Sequence, residues 1–188
     1  AARHVWPGAR IFAFEPLSGP ADKFKSVFVN DASVILYPVA IGPETGEATI
    51  HISRRDDSSS LLPIGPEQDR IFPGTDEVSS AVIKVEKLDN VLAASDISDP
   101  ALLKLDVQGF ELSALQGCER LLTLFDHFYC ECSFLEMYRG QALAGEVIVW
   151  LQARGFELRG VYNPSHQSNG AAVQADFLFT RLAVSNAE

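Results

Sequence analysis

Short apolar runs of strand length alternate with stretches of helical spacing along this chain, and that alternation restricts it to an α/β domain. Ile11-Phe12-Ala13-Phe14 is apolar throughout and stops at Glu15-Pro16, as expected of a parallel strand buried on both faces. A second buried run, Val34 to Ile41, stops at Gly42. Residues 21–29 between them have helical spacing, with Phe24, Val27 and Phe28 on one side. Glu47 to Ile52 alternates and predicts an antiparallel ribbon after the turn at 43–46. Arg54 to Asp76 is irregular, and a loop that long inside a compact domain is more often functional or mobile than idle.

The second half repeats the theme. A strand at Ala81 to Val85 leads to a short helix at Leu88 to Ala93. Leu102-Leu103-Lys104-Leu105 is a strand ending at Asp106, and Leu112, Leu115, Leu121 and Leu122 predict a helix from Phe110 to Leu124. Phe128, Cys130, Cys132 and Phe134 alternate with Tyr129, Glu131 and Ser133. A helix from Leu143 to Arg154 stops at Gly155, in a left-handed capping position. The last two strands, Phe156–Tyr162 and Val173–Thr180, are joined by a stretch too short to hold a helix, so they pair antiparallel. The expected outcome is a mostly parallel sheet with one antiparallel strand near its C-terminal end, in a single domain over residues 1–188.

A formal net charge of −10 repels phosphate backbones, which disfavours a nucleic-acid partner. No apolar stretch reaches the ~20 residues that span a bilayer, so no membrane partner is expected. Cys118, Cys130 and Cys132 form no C-x-x-C pair, and Cys130 and Cys132 read as small hydrophobes on one packed strand face. That pattern fits a reducing compartment, and without a basic-then-apolar leader the expectation is a cytoplasmic protein. His4, His51 and His127 have no partner at ligand spacing, and none of the cysteines is paired for zinc, so no metal is expected. His166 reads as a solvated loop residue.

Ligands of open α/β sheets bind outside the carboxyl ends of the strands. Three carboxylates stand there: Glu15, Asp106 and Glu131. Glu15 suits a ribose diol, because one carboxylate accepts two hydrogen bonds; equally, it suits a solvated position before Pro16. Three roles fit Asp106: contact with a ligand's cationic end, orientation of a substrate hydroxyl, or capping of the helix at Phe110. Glu131 sits either at the strand's mouth or on the face turned away from the helices.

The segment LLKLDVQGFELSALQGCERLL, Leu102 to Leu122, resembles the hallmark of the FkbM-like family of S-adenosylmethionine-dependent methyltransferases. The likeness runs along the chain through IFAFEP, VAIG followed by GEATIHI, SSSLLP, VEKLDNVL, YCECSF and QADFLFTR. It implies a Rossmann-like class I methyltransferase sheet of seven strands, mostly parallel with an antiparallel C-terminal strand, and S-adenosylmethionine as cofactor. By position, Glu15 matches the acidic residue that holds the cofactor ribose, and Ala40 and Ile41 lie where such folds border the adenine. Asp106 matches a position beside the methionine end or the transfer site, and Ser58 to Leu61 a loop over the pocket. Glu131 matches an acidic strand-end position, suited to substrate contact or to acting as the base.

One family motif is absent. The Asp-x-Gly-Ala-Asn-x-Gly loop and the strand before it precede the Phe-Glu-Pro segment in the family, and residues 1–10 do not supply them. The first strand is therefore expected to be missing and the domain to be truncated at its N-terminus. That strand belongs between those ending at Glu15 and Asp106. Three outcomes follow: upstream residues supply it, the two neighbours close up, or another chain fills the gap in a homo-oligomer.

The reading is a methyltransferase acting on a hydroxyl of a small molecule or sugar, with Asp106 and Glu131 as catalytic candidates. Two alternatives stand beside it: an inactive binding or assembly module, and, less favoured, a nicotinamide-dependent oxidoreductase. The oxidoreductase lacks support from any Tyr-x-x-x-Lys pair.

Overall fold

The computed structural model describes residues 2–182. In chain order the elements are α1 (Ala2–Val5), β1 (Ile11–Phe14), α2 (Ser18–Val27), β2 (Val34–Tyr37), β3 (Ala40–Ile41) and β4 (Gly46–Ser53). Then come α3 (Pro66–Ile71), β5 (Glu77–Glu86), α4 (Leu88–Val91), β6 (Leu102–Leu105), α5 (Glu111–Gln116), β7 (His127–Ser133), α6 (Ala144–Gln152), β8 (Phe156–His166) and β9 (Ala172–Arg181). The α/β alternation of the sequence is realised in this order.

The strands form three hydrogen-bonded sheets among the described residues, in place of the single sheet expected from the sequence. β1 and β2 pair in parallel. β5 lies between β3, which is parallel to it, and β4, which is antiparallel. The third sheet has the order β6-β7-β9-β8, with β6 and β7 parallel and β9 antiparallel to both of its neighbours. The antiparallel closing pair is as the sequence predicts.

Several boundaries are corrected. The run Val34 to Ile41 divides at Pro38, which has no N–H to donate to a ladder, and its halves pair with different strands. The ribbon at Glu47 to Ile52 is antiparallel as expected, and its partner is β5. The predicted helix from Phe110 to Leu124 ends after Gln116, and a separate 3₁₀ turn covers Leu122–Leu124. Gly117 explains the break: a Cβ there would lie 2.1 Å from the Gly42 carbonyl oxygen, so the chain turns where two backbones touch. Val27 is exposed, whereas Phe24 and Phe28 pack ring to ring at 4.7 Å. His166 ends β8 instead of standing in a loop.

α5 and α6 cover one face of the four-stranded sheet. Ala114, Leu115, Val147 and Leu151 meet Phe128, Cys130, Phe177 and Phe179 in the main core, and Cys118 and Cys132 are buried with them as small hydrophobes. Phe128 meets Phe156 edge-on at 4.7 Å. Each fully buried side chain of this size contributes about 1.5–3 kcal/mol. Strand alternation then places Lys104, Tyr129, Glu131, Gln174 and Asp176 on the opposite face.

β1 pairs only with β2, and β6 only with β7; no ladder joins β1 to β6 among the described residues. The two strands ending at Glu15 and Asp106 have not closed up. Instead Phe12, Phe14 and Tyr37 pack on the main core by side chains alone.

Candidate functional site

The turn between β6 and α5 is built from two residues with left-handed backbone, Gln108 at φ 54° and Gly109 at φ 88°. Glycine is needed at 109 for a second reason: a Cβ would crowd Tyr138 Cδ2 at 3.2 Å and Gln141 Cβ at 3.0 Å. Glu111 closes the turn, its Oε1 accepting from the N–H of Val107 (3.1 Å) and of Gly109 (3.2 Å). The cap at this helix start is thus Glu111 and not Asp106. Asp106 is left to other partners: Lys104 Nζ donates to Oδ2 at 2.8 Å, and Gln108 Nε2 to Oδ1 at 2.9 Å.

Gln108 joins Asp106 to Glu131. Its Nε2 lies 3.3 Å from Glu131 Oε2, while Gln174 Nε2 donates to Glu131 Oε1 at 2.8 Å. Burial, reinforced by the charges of Asp106 and Asp176, pushes the Glu131 carboxyl up to about 7; Lys104 and the Gln108 hydrogen bond oppose it. Opposite Glu131 on β9, Asp176 accepts from Tyr129 Oη at 3.1 Å and Asn163 Nδ2 at 2.7 Å. A half-buried carboxylate that titrates near neutrality is suited to taking up a proton.

Behind Gln108 stands Tyr138, whose hydroxyl lies 2.8 Å from Gln108 Oε1 and 3.1 Å from the Ser58 carbonyl oxygen. Ser60 Oγ donates to the Gln108 carbonyl at 2.7 Å. The loop expected to lie over a pocket is therefore fastened to the turn after β6. At its other end Lys23 of α2 pairs with Asp56 at 2.6 Å.

Glu15 follows β1 and is half-buried; its Oε1 accepts the Leu17 N–H at 2.8 Å. Desolvation raises its carboxyl, the Leu17 hydrogen bond opposes that, and the charge of Asp56 adds to it. Asp56 thus brings the loop's near end into the field of Glu15, as Ser58 and Ser60 bring its far end to Gln108. Ala40 packs with Leu17 beside the small cluster of Ile50, Ile83 and Val85, whereas the Ile41 side chain is part of the main core. The structure joins Asp106 and Glu131 through Gln108 and leaves Glu15, Ala40 and Ile41 outside that network. His51 faces Glu77 at 3.0 Å and His127 faces Thr180 at 3.0 Å, both away from the cluster.

Gln108, Glu111, Tyr138 and Gln174 have no role in the sequence reading. Glu111 had a signal, an acidic residue at the opening of a predicted helix, where a carboxylate meets free backbone N–H groups. Tyr138 and Gln174 had none, since both reach the site only through tertiary contacts.

Parallel strands whose carboxylates gather at one end, with a tethered loop running from one to the next, define a mixed α/β domain with a polar site at its strand ends. The chain belongs to the FkbM methyltransferase family: the family model described as Methyltransferase FkbM domain matches residues 1–158. No curated protein and no solved structure matches the chain. Among the described residues, no helix is long and apolar enough to cross a membrane.

Proposed function

We propose that this methyltransferase domain uses S-adenosylmethionine to methylate a hydroxyl oxygen of a small molecule or sugar. The observation that carries the proposal is Glu131, a carboxylate raised to about 7 and bound by amide donors on both oxygens. The residues at the strand ends suit the cofactor's chemistry: Glu15, desolvated and with only Oε1 engaged among the described residues, suits a ribose diol. The acidic pair Asp106 and Glu131 suits a cationic group beside it.

When bound, S-adenosylmethionine supplies a methyl group already activated by its sulfonium. What falls to the chain is positioning and one proton. Asp106, which accepts from Lys104 and Gln108, is suited to orienting the acceptor hydroxyl. Glu131 is placed to take its proton, and it does so only as the carboxylate. Transfer therefore rises with pH through about 7 and then levels off.

A second reading, a binding module without catalysis, is favoured by the edges of β1 and β6, which are unpaired among the described residues. Those edges also suit pairing between two copies of the chain, which light scattering across a concentration series would detect. Calorimetric titration with S-adenosylhomocysteine separates the readings. The expected outcome is binding by the protein and at least tenfold weaker binding by Glu15→Ala. Binding that is equal in the two removes Glu15 from the site. Its absence in both, in a chain extended upstream as well, leaves the module.

A further inference from the structure

Gln108 is the hinge of the Asp106–Glu131 pair, and its geometry is over-determined. Only one amide orientation suits the carboxylates: Nε2 between Asp106 Oδ1 and Glu131 Oε2, because the flipped amide would set an oxygen against both. In that orientation Oε1 faces away from the pair and receives the Tyr138 hydroxyl at 2.8 Å. The Ser58 carbonyl, at 3.1 Å, competes for the same proton at longer range. The backbone is held as tightly, since Ser60 Oγ fixes the Gln108 carbonyl at 2.7 Å while the residue sits in a conformation unusual outside glycine. Tyr138 and Ser60 are both buried, so water does not replace either contact freely.

We infer that Tyr138 and Ser60 are positioning residues that act through Gln108 to set the protonation of Glu131. The inference rests on Glu131 being the proton acceptor only for its effect on rate; the effect on the carboxyl itself is independent of that reading. The groups facing Glu131 are Lys104 from β6, Asp106 from the turn after it, Asp176 from β9, Glu111 from α5 and Tyr138 from the loop after β7. Of these, Lys104 is the cation that favours the charged carboxyl, and the Gln108 amide is a hydrogen-bond donor that favours it. Without the Tyr138 hydroxyl only the carboxylates hold the amide, and its longer contact, 3.3 Å to Glu131 Oε2, is the first to open. Glu131 then loses a donor to its charged form, and its titration moves upward.

The test is the ¹³C titration of the Glu131 carboxyl by NMR, assigned with Glu131→Gln, in the protein and in Tyr138→Phe. The variant keeps the ring, and its fold is checked by circular dichroism. The expected result is an upward shift of about one pH unit. On a Gln108→Leu background, where the amide is already gone, Tyr138→Phe adds no further shift. An unchanged midpoint in Tyr138→Phe, or an equal shift on both backgrounds, overturns the inference. If Tyr138→Phe does not fold, Ser60→Ala is compared on the same two backgrounds by the same criteria. The pH dependence of methyl transfer is read in parallel. A shifted carboxyl with an unshifted rate profile keeps the positioning role and removes Glu131 as the base.

Discussion

Glu111 shows how one side chain shapes the site by being used elsewhere. It is buried, and its Oε1 gathers two backbone N–H groups of the turn after β6. Desolvation nonetheless raises its carboxyl to about 7, the backbone hydrogen bonds only moderating the effect, with the charge of Glu131 adding to it. A carboxyl raised in the folded state binds its proton more tightly there than in the unfolded chain. Its contribution to stability is thus complete below about 4.5 and declines as pH rises through about 7. Glu111→Gln keeps the acceptor oxygen and removes the charge. Urea unfolding at pH 5 and pH 8 is expected to give a flatter pH dependence for the variant and a gain of about 1–3 kcal/mol at pH 8. Glu131, also raised, leaves a residual slope in both proteins.

At the scale of elements, two glycines of similar appearance in the sequence have opposite uses. Gly117 ends α5 where a Cβ would lie 2.1 Å from the Gly42 oxygen and 2.9 Å from its carbon, and backbone cannot step aside as a side chain can. Gly145 lies in the first turn of α6, where an added methyl group would meet nothing within 4 Å. Gly117→Ala is expected to cost about 1–3 kcal/mol or more through forced backbone displacement. Gly145→Ala is expected to stabilise by up to about 1 kcal/mol, because alanine loses less backbone freedom in a helix. Denaturant midpoints of the two variants check both signs. The loop at 56–60 belongs to this scale too: Ser58 and Ser60 are buried, Ser60 bonded to the Gln108 carbonyl and the Ser58 carbonyl to the Tyr138 hydroxyl, so this stretch is a strut for Gln108.

For the whole molecule, stability is unevenly placed. β7 and β9 lie inside the four-stranded sheet and carry several fully buried residues, among them Phe128, Cys130, Val173 and Phe179. Every residue of β1 and β2 is only partly buried, and among the described residues β1 has one ladder partner. Native-state hydrogen exchange should therefore protect β7 and β9 most and β1 and β2 least. Protection of β1 equal to that of β7 would mean that its free edge is paired in solution, by another copy or by another segment.

Read by itself, the sequence determined the α/β class, the closing antiparallel pair, the buried cysteines and the positions of Glu15 and Asp106 just after their strands, because each depends on local periodicity or on a residue's place along its own strand. It also carried the family, since the segments that mark it stand in order along the chain. The division into three sheets was decided only in three dimensions, by pairings between residues far apart in sequence, such as β3 with β5. The same holds for the site's inner network. Tyr138 lies 30 residues from Gln108 and Gln174 lies 43 from Glu131, so their contacts follow from packing and leave no periodic trace.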